Sequence, residues 1–260
     1  KNIAHVANRE GIETINGYME DLNPKDLPKA DIITAFNVFA HTKATKLITE
    51  KVFDILKPNG TFIIEAQYLL NTINDLTFDN IYHEHLFYYT VTSLNDFFNR
   101  LGKQIVKVEH VNTHGGSIRL YIKRKEEANT IDGSLNTFLT NEKDIMDNYG
   151  IYKKFGERIE EKKKLVLQKI ASLKGTVAGY GSPAKATTVL NYYGVELPYT
   201  IEDNPAKQGK YIPGVKTKIV AKQDLPFVPD NVVVLAWNFF EEIKKNNQDL
   251  ISKGVNFLTL

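Results

Sequence analysis

Apolar and polar positions alternate along the start of the chain in blocks that predict helices and strands in turn. Asn2–Glu10 and Ala44–Leu56 place apolar residues at helical spacing, and a glycine follows each of them. Asp31–Phe36 is a continuous apolar run, which is typical of a parallel strand covered on both faces. Ile12–Ile15 and Thr61–Ala66 predict two further strands. This order favours a doubly wound α/β arrangement.

The middle of the chain, from about residue 67 to 124, is aromatic and irregular. It contains a predicted helix at Ser93–Leu101. Gln104–His110 and Ser117–Lys123 then alternate like two antiparallel strands of a hairpin, before a polar connection over Lys125–Ser134. We therefore expect an aromatic insertion with a hairpin.

The last part of the chain returns to alternating strands and helices. Strands are predicted at Thr176–Ala178, Tyr199–Glu202, Asn231–Ala236 and Val255–Leu260, and helices at Tyr152–Leu173, from Pro183 to about Tyr193, and at Phe239–Asn247. This order predicts a second, Rossmann-like domain. Since 260 residues divided by about 150 favours two domains, we expect a division into 1–150 and 151–260.

Composition narrows the class of protein. The 33 basic and 31 acidic residues leave a net charge of +2, which argues against nucleic acid as the main partner. No apolar run approaches the length of a membrane span, so we expect no membrane partner and a cytoplasmic location. The absence of cysteine excludes disulfides, a catalytic thiol and cysteine zinc sites within these residues. Any catalysis must use histidine, carboxylates, tyrosine or lysine.

Three short motifs occur in a fixed order. They are Asp79-Asn80-Ile81-Tyr82-His83-Glu84-His85, His114-Gly115-Gly116-Ser117-Ile118-Arg119 and Gly179-Tyr180-Gly181-Ser182-Pro183-Ala184-Lys185-Ala186. In this order they resemble the sugar-nucleotide C-methyltransferases, which use S-adenosylmethionine (SAM) to methylate a carbon next to a ketone in deoxysugars. Ala30–His41 and Leu56–Gly60 resemble the back half of a class I SAM methyltransferase domain.

The resemblance also implies which parts of the family pattern these residues lack. Family members begin with a cysteine-rich zinc domain, followed by a glycine-rich SAM loop, and neither pattern occurs in this sequence. The resemblance therefore implies that 1–150 is a partial SAM-methyltransferase domain with a catalytic insertion, and that 151–260 binds the sugar nucleotide. A missing N-terminal half or a companion chain would complete the SAM site.

Methylation of carbon requires a base next to a carbonyl and a group that stabilises the enolate. The resemblance implies that His85 is this base, with Tyr82 and Glu84 beside it and His41 as a further active-site residue. An imidazole titrates near neutral pH and suits the role, while Tyr82 or His41 could donate to the enolate oxygen. Alternatively, His83 and His85 would share one face of a strand and bind zinc together with His41, although no fourth ligand is evident and we expect no metal.

Cofactor residues are expected where a strand ends. Phe36, Asn37 and Val38 would contact the methionine side of SAM, because ligands of parallel sheets bind at the carboxyl ends of strands. Met19 and Glu20 would lie near its adenine, although Glu20 is equally well explained as a solvated loop acid.

The third motif predicts a site for an anion. Ser182 is a suitable helix N-cap and Pro183 fits the first helical position, so backbone N–H groups would face outward. The motif also fits the G-x-G-x-x-A dinucleotide pattern, and Glu202 and Asp203 follow about 20 residues later, which taken alone would suggest NAD.

The resemblance instead assigns this region to a nucleoside diphosphate sugar. The expected substrate-binding residues are Arg119, His114, Gly179, Gly181, Ser182, Lys185 and Asp203. Two other functions stay open, namely a non-catalytic sugar-nucleotide-binding fragment and an NAD-dependent oxidoreductase.

Overall fold

The computed structural model describes residues 2–146 and 148–260, which form alternating helices and strands. The helices are α1 Asn2–Arg9, α2 Thr45–Ile55, α3 Leu69–Asn74, α4 Val91–Arg100, α5 Gly133–Met146, α6 Tyr149–Ser172, α7 Ala184–Tyr193, α8 Phe240–Asn246 and α9 Gln248–Ile251. The strands are β1 Ala30–Phe36, β2 Leu56–Gln67, β3 Lys103–Val111, β4 Ser117–Arg124, β5 Val177–Tyr180, β6 Tyr199–Ile201, β7 Lys218–Val220, β8 Asn231–Val234 and β9 Asn256–Leu258. The α/β fold class expected from the sequence is confirmed.

The described residues pack into two compact units that interleave along the chain. The first unit takes the described residues of Lys1–Tyr68, Leu86–Val111 and Ser117–Lys143. The second takes those of Leu69–His85, Asn112–Gly116 and Asp144–Leu260. These packing units do not test whether 1–150 and 151–260 fold as separate domains, so that division stays a prediction.

The first unit is built on a four-stranded mixed sheet in the order β1-β2-β4-β3. β1 runs parallel to β2, while β4 pairs antiparallel with both β2 and β3. Alternate side chains of β2 and β4 are fully buried, among them Phe62, Ile64 and Leu120. The hairpin expected from the alternating pattern is therefore confirmed as β3 and β4.

The second unit contains a five-stranded parallel sheet in the order β7-β6-β5-β8-β9. Successive residues of β8 pack into two different apolar clusters, Val233 into one and Val232 and Val234 into the other. Helices α6 and α7 contribute to the first cluster, through residues such as Val166 and Leu190. This arrangement is Rossmann-like, and the crevice of such a sheet lies at the carboxyl ends of β5 and β8, where the strand order reverses.

Three predicted features of the first unit are wrong. Ile12–Ile15 is not a strand, because the side chain of Asn8 bonds both backbone groups of Thr14, donating to its carbonyl at 2.8 Å and accepting from its N–H at 2.9 Å. β1 is not covered on both faces, since the side chains of Ile32 and Phe36 are exposed. The polar connection after β4 is shorter than expected, because α5 begins at Gly133.

No helix in the described part of the chain is both long and apolar enough to cross a membrane. Among the same residues, no three histidine, aspartate or glutamate side chains are grouped as metal ligands.

Candidate active site

The Tyr82–His85 motif forms a turn in the second unit rather than a strand. The His85 N–H donates to the carbonyl of Tyr82 at 3.0 Å, and just before it the N–H of Ile81 donates to the carbonyl of Phe78 at 2.8 Å. The strand on which the zinc alternative depends is therefore absent from this segment. His85 lies in the second unit and His41 in the first.

The hydrogen bonds of the His85 ring define its neutral tautomer. Nδ1 lies 2.7 Å from the carbonyl oxygen of Asn80, and a carbonyl can only accept, so Nδ1 carries the proton. In the neutral ring, Nε2 then holds a lone pair and accepts from the Tyr82 hydroxyl, which lies 3.0 Å away. The Tyr82 and His85 rings lie 4.2 Å apart between centroids. This is the protonation state that a general base at Nε2 requires.

The remaining residues of this motif are more exposed than His85. Both His83 and Glu84 are exposed, while Tyr82 and His85 are half-buried. His83 contacts the ring of Tyr82 edge-on at 6.4 Å. The structure therefore brings Tyr82 and His85 together, while the predicted role of Glu84 stays a prediction.

At the end of β1, Asn37 is held by Glu65 of the neighbouring strand β2. The N–H of Asn37 donates to the Glu65 carbonyl at 2.8 Å, and its Nδ2 donates to Glu65 Oε1 at 3.2 Å. Asn37 adopts a positive φ of 54°, which asparagine tolerates better than most residues. Its buried Oδ1 has no hydrogen-bond partner among the described residues. This atom is an acceptor available to a ligand that brings an N–H group.

Glu65 was not predicted from the sequence as a site residue, although it is a charged residue in the apolar strand β2. Its carboxylate is 3% exposed and accepts from Arg119 Nη2 at 2.7 Å and from Arg119 Nε at 3.2 Å. The hydrogen bond to Glu65 raises the pKa of Arg119, so the guanidinium stays charged. Arg119 also lies 5.2 Å from the ring centre of Phe36. The predicted role of Arg119 toward a phosphate stays a prediction, because its charge already balances Glu65.

The other residues expected near SAM lie in the same unit. Phe36 and Val38 are exposed around the end of β1, and His41 ends the 3₁₀ turn Phe39–His41 that follows. Met19 and Glu20 lie in a turn that Lys51 of α2 anchors by donating to the Glu20 carbonyl. The structure thus places Phe36 at the last position of β1 and the other residues on the segments that follow and precede this strand.

In the second unit, Glu202 occupies the turn where the sequence predicts an anion site. The N–H and the hydroxyl of Ser182 both donate to Glu202 Oε2, the N–H at 2.9 Å. Lys207 Nζ lies 3.7 Å from the same oxygen and donates to the Ser182 carbonyl at 2.9 Å. Burial alone would raise the pKa of the Glu202 carboxyl, but the bonds from Ser182 and Asn204 and the charge of Lys207 outweigh it and lower that pKa.

Ser182 is therefore not the helix N-cap that the sequence predicts. The N-cap of α7 is Pro183, whose ring has no acceptor for a capping bond, and the Ser182 hydroxyl donates to Glu202 instead. Gly181 has a φ of 86°, and a Cβ there would meet the Cβ of Ala236 at 3.0 Å. A Cβ on Gly179 would meet Thr200 Oγ1 at 2.8 Å. Both glycines are thus required for packing, and phosphate contact at this turn stays a prediction.

Lys185 and Asp203 lie close to this turn. Asp203 accepts from the Tyr180 hydroxyl at 3.0 Å with each of its oxygens. Lys185 is 7% exposed, and its Nζ has no hydrogen-bond partner among the described residues. Burial lowers the pKa of Lys185, and the charge of Asp79 opposes that shift. Lys185 is therefore a buried cation near the start of α7.

Trp237 links Lys185 to the loop that carries His85. Its ring lies 4.7 Å from Lys185 Nζ, and its Nε1 donates to Asp79 Oδ2 at 2.5 Å. Both Trp237 and Asp79 line a cavity of about 490 Å³ in the second unit. Sequence analysis placed Asp79 in a motif but gave it no role.

The His114-Gly115-Gly116 motif fits against Trp237 and α3. His114 has a φ of 52° and is exposed. A Cβ on Gly115 would meet Trp237 Cη2 at 2.6 Å, and one on Gly116 would meet the side chain of Asn71 at 2.3 Å. The two glycines allow this close packing, while a contact of His114 with substrate stays a prediction.

Two family models match the residues that form this site. Residues 112–260 match the model described as the C-methyltransferase C-terminal domain, and residues 2–108 match one described as a methyltransferase domain. The chain belongs to the C-methyltransferase family. The family resemblance carried by the three motifs is thereby confirmed.

A curated relative and two solved structures extend the comparison. C-methyltransferase NovU from Streptomyces niveus is 30% identical over 270 aligned residues, which cover 99% of this chain. The chain spans 64% of the length of NovU.

The solved structures resemble parts of the chain. A DhpI–SAM–HEP complex aligns with a TM-score of 0.36 and 14% identity, covering 46% of this chain and 63% of that one. Magnesium protoporphyrin IX methyltransferase (ChlM) from Synechocystis PCC 6803 with bound SAH aligns with a TM-score of 0.33 and 11% identity, covering 42% and 50%.

Proposed function

We propose that this protein transfers a methyl group from SAM to a carbon next to the ketone of a nucleoside diphosphate deoxysugar. The observation that carries the proposal is the His85 ring, whose Nδ1 donates to the Asn80 carbonyl at 2.7 Å and whose Nε2 lies 3.0 Å from the Tyr82 hydroxyl. Family membership supports the methyl transfer, and the name of the relative NovU supports attack by carbon.

The proposed proton transfer uses Tyr82 and His85 as a pair. The Tyr82 hydroxyl donates to Nε2 in the structure, and it would turn to the ketone oxygen when the sugar enters. Nε2 would then take the proton from the carbon beside the ketone, and the C–H electron pair would pass into the enolate. A positioned base of this kind contributes roughly 10²–10⁴-fold to the rate. The hydrogen bond from Tyr82 would stabilise the negative charge that develops on oxygen.

The end of β1 fits the amino acid portion of SAM. Asn37 Oδ1 is a buried acceptor without a partner among the described residues, and an ammonium group would donate to it. Phe36 and Val38 offer exposed apolar surface on either side of Asn37. When bound, SAM would supply an electrophilic methyl group to the enolate carbon, and the bond between that methyl group and the sulfur of SAM would break. The role of Asn37 is to orient the cofactor.

The sugar nucleotide is proposed to bind the second unit. Lys185 supports this assignment, because a cation 7% exposed and lacking a hydrogen-bond acceptor among the described residues favours a ligand with negative charge. Glu202 modifies the expectation, since a phosphate at the Ser182 N–H would have to displace its carboxylate. We therefore place the charge recognition on Lys185 rather than on that backbone N–H.

Exchange of the substrate proton with solvent tests the proposed base. The full-length protein is mixed with a thymidine diphosphate keto-deoxysugar in D₂O without SAM, and deuterium at the carbon beside the ketone is followed by NMR. We expect His85→Ala to slow this exchange by 10² or more. The exposed neighbour provides the control, since His83→Ala should retain it.

The outcomes of this experiment separate the alternatives. Exchange that survives in His85→Ala and disappears in His83→Ala would reverse the two roles. Loss of exchange on addition of a chelator would revive the zinc alternative. Tight binding of NAD in place of the sugar nucleotide would support an oxidoreductase instead.

A further inference from the structure

A buried carboxylate joins the loop before His85 to the Rossmann-like sheet of the same unit. Asp79 is 4% exposed, and its Oδ2 accepts from Trp237 Nε1 at 2.5 Å. Trp237 follows β8, whose last residue is Val234, so the bond connects the loop to the carboxyl end of a central strand. This short bond between a carboxylate and an indole N–H is charge-assisted, the stronger class of protein hydrogen bond.

The indole of Trp237 is held in place by its neighbours. Gly115 packs so closely that any Cβ there would meet Trp237 Cη2 at 2.6 Å. Lys185 Nζ lies 4.7 Å from the centre of the ring, a cation–π distance. With the ring fixed by these contacts, the direction of its N–H is fixed as well. Asp79 is therefore bound to a rigid donor.

A short turn connects Asp79 to the atom that orients His85. Asp79 lies within the 3₁₀ turn Phe78–Asn80, which is closed by the bond from the Ile81 N–H to the Phe78 carbonyl at 2.8 Å. The carbonyl of Asn80, the residue after Asp79, accepts from His85 Nδ1 at 2.7 Å. Because one turn contains both groups, the anchor on the Asp79 side chain also fixes the direction of the Asn80 carbonyl.

We propose that Asp79 and Trp237 are positioning residues that hold the Asn80 carbonyl against His85 Nδ1 and so keep the His85 lone pair on Nε2. A neutral imidazole exchanges between two tautomers, and the bond made by one nitrogen selects which of them predominates. Without the anchor, the carbonyl would lose its fixed direction and the proton would redistribute between the nitrogens. The effect on catalysis rests on the proposed function of His85 as the base. The effect on the His85 tautomer does not depend on that proposal.

The tautomer is measured directly by NMR of the full-length protein labelled with ¹⁵N-histidine. The His85 signals are assigned by their disappearance in His85→Gln. In the wild type we expect a protonated Nδ1 and an unprotonated Nε2. Asp79→Ala should shift the tautomer ratio of His85 at least tenfold toward Nε2–H. Trp237→Phe, which keeps an aromatic ring and removes the N–H donor, should shift it in the same direction.

Two further variants distinguish positioning from a general loss of structure. Asp79→Asn keeps an oxygen that accepts from Trp237 Nε1, so it should restore the wild-type tautomer. Asp75→Ala removes a carboxylate from the same segment that accepts from Asn71 at 2.9 Å, and it should leave His85 unchanged. A wild-type tautomer in both Asp79→Ala and Trp237→Phe would overturn the proposal. An equal shift in Asp75→Ala would do so as well.

Deuterium exchange of the substrate separates this inference from the proposed function. At saturating sugar nucleotide, we expect exchange to fall at least tenfold in Asp79→Ala and Trp237→Phe. A shifted tautomer with unchanged exchange would support the positioning role and overturn His85 as the base. Reduced exchange with an unshifted tautomer would overturn the positioning role.

Discussion

The backbone N–H of Ser182 donates to the carboxylate of Glu202 at 2.9 Å, across the turn that precedes α7. The beginning of a helix attracts negative charge, and here the protein supplies that charge itself. The carboxylate thereby ties the turn to the end of β6, beside the bond from the Gly181 N–H to the Ile201 carbonyl at 2.7 Å.

Glu202→Gln should weaken the second unit in a manner that depends on pH. The native pKa of Glu202 lies below its ordinary value of 4.5, so its ionised form stabilises the fold above pH 4.5, and this stabilisation is lost as pH falls through the native pKa. We expect a loss of about 1 kcal/mol at pH 7, which shrinks below pH 4.5. Thermal unfolding at pH 7 and pH 3.5 measures both values. The exposed carboxylate in Glu196→Gln serves as control, and equal effects in the two variants would contradict the prediction.

Gly181→Ala should reduce both stability and nucleotide affinity. The residue has a φ of 86° and its Cβ would lie 3.0 Å from that of Ala236, so the turn must shift. Gly194→Ala is a matched control, because its φ is 70° and its Cβ would meet nothing within 4 Å. Calorimetry with thymidine diphosphate should show at least a tenfold loss of affinity for Gly181→Ala alone. Unchanged affinity in a folded Gly181→Ala protein would remove this turn from the nucleotide site.

Lys185→Met should stabilise the protein while it weakens nucleotide binding. Burial lowers the pKa of Lys185 below 10.5, which means that the folded state disfavours its charge. Replacement of a buried charge by an apolar side chain of similar length is neutral or stabilising, here by about 1 kcal/mol. Between the lowered pKa of Lys185 in the folded state and 10.5, the unfolded chain binds more protons than the folded one. The free energy of unfolding of the wild type therefore rises as the pH approaches 10.5, and the stability difference between Lys185→Met and the wild type decreases.

Denaturant unfolding at pH 7 and pH 9.5 measures the difference in free energy of unfolding between Lys185→Met and the wild type. Calorimetry with thymidine diphosphate measures the nucleotide affinity. Lys210→Met replaces an exposed lysine of the same unit and should change neither. A Lys185→Met variant that is less stable and binds the nucleotide normally would show that Lys185 serves the fold alone.

Two substitutions of Asn37 test the cofactor site and distinguish backbone strain at this residue from its contact with SAM. Asn37→Gly accepts a φ of 54° without strain, whereas Asn37→Ala incurs about 1–2 kcal/mol. Both variants lack the Oδ1 acceptor, so both should bind SAM at least tenfold more weakly in the full-length protein. Calorimetry measures the affinity and thermal unfolding measures the strain. Wild-type affinity in Asn37→Gly would exclude Oδ1 as a contact of SAM.

The spacing of apolar residues along the sequence predicted the helices and strands that are specified by short-range sequence pattern. The alternation in β3 and β4 and the apolar run of β8 were sufficient, because each buries its side chains in a regular way. The Ile12–Ile15 prediction failed because the side chain of Asn8 takes the backbone bonds that a strand would need. No periodicity in the sequence reports such a contact.

The site was predictable in its parts but not in its connections. The motif indicated Tyr82 and His85, and the structure shows which nitrogen carries the proton. The bond from Trp237 to Asp79 joins residues 158 positions apart, and a single sequence contains no sign of it. Taken alone, the dinucleotide pattern would have made Glu202 its acid, but Glu202 bonds Ser182, because both residues lie just beyond the ends of the paired strands β5 and β6.

Phe78 limits how this family can be recombined. Its ring packs edge-on against Tyr192 at 5.1 Å and Tyr193 at 5.7 Å, so a residue from the middle of the chain completes the apolar core beneath α7. A chimera that exchanges only the C-terminal segment between two family members would pair one parent's Phe78 loop with the other parent's tyrosines. The unit that can be exchanged between family members is therefore discontinuous in sequence. Residues 69–85 have to be transferred together with the C-terminal segment so that the apolar core stays fully packed.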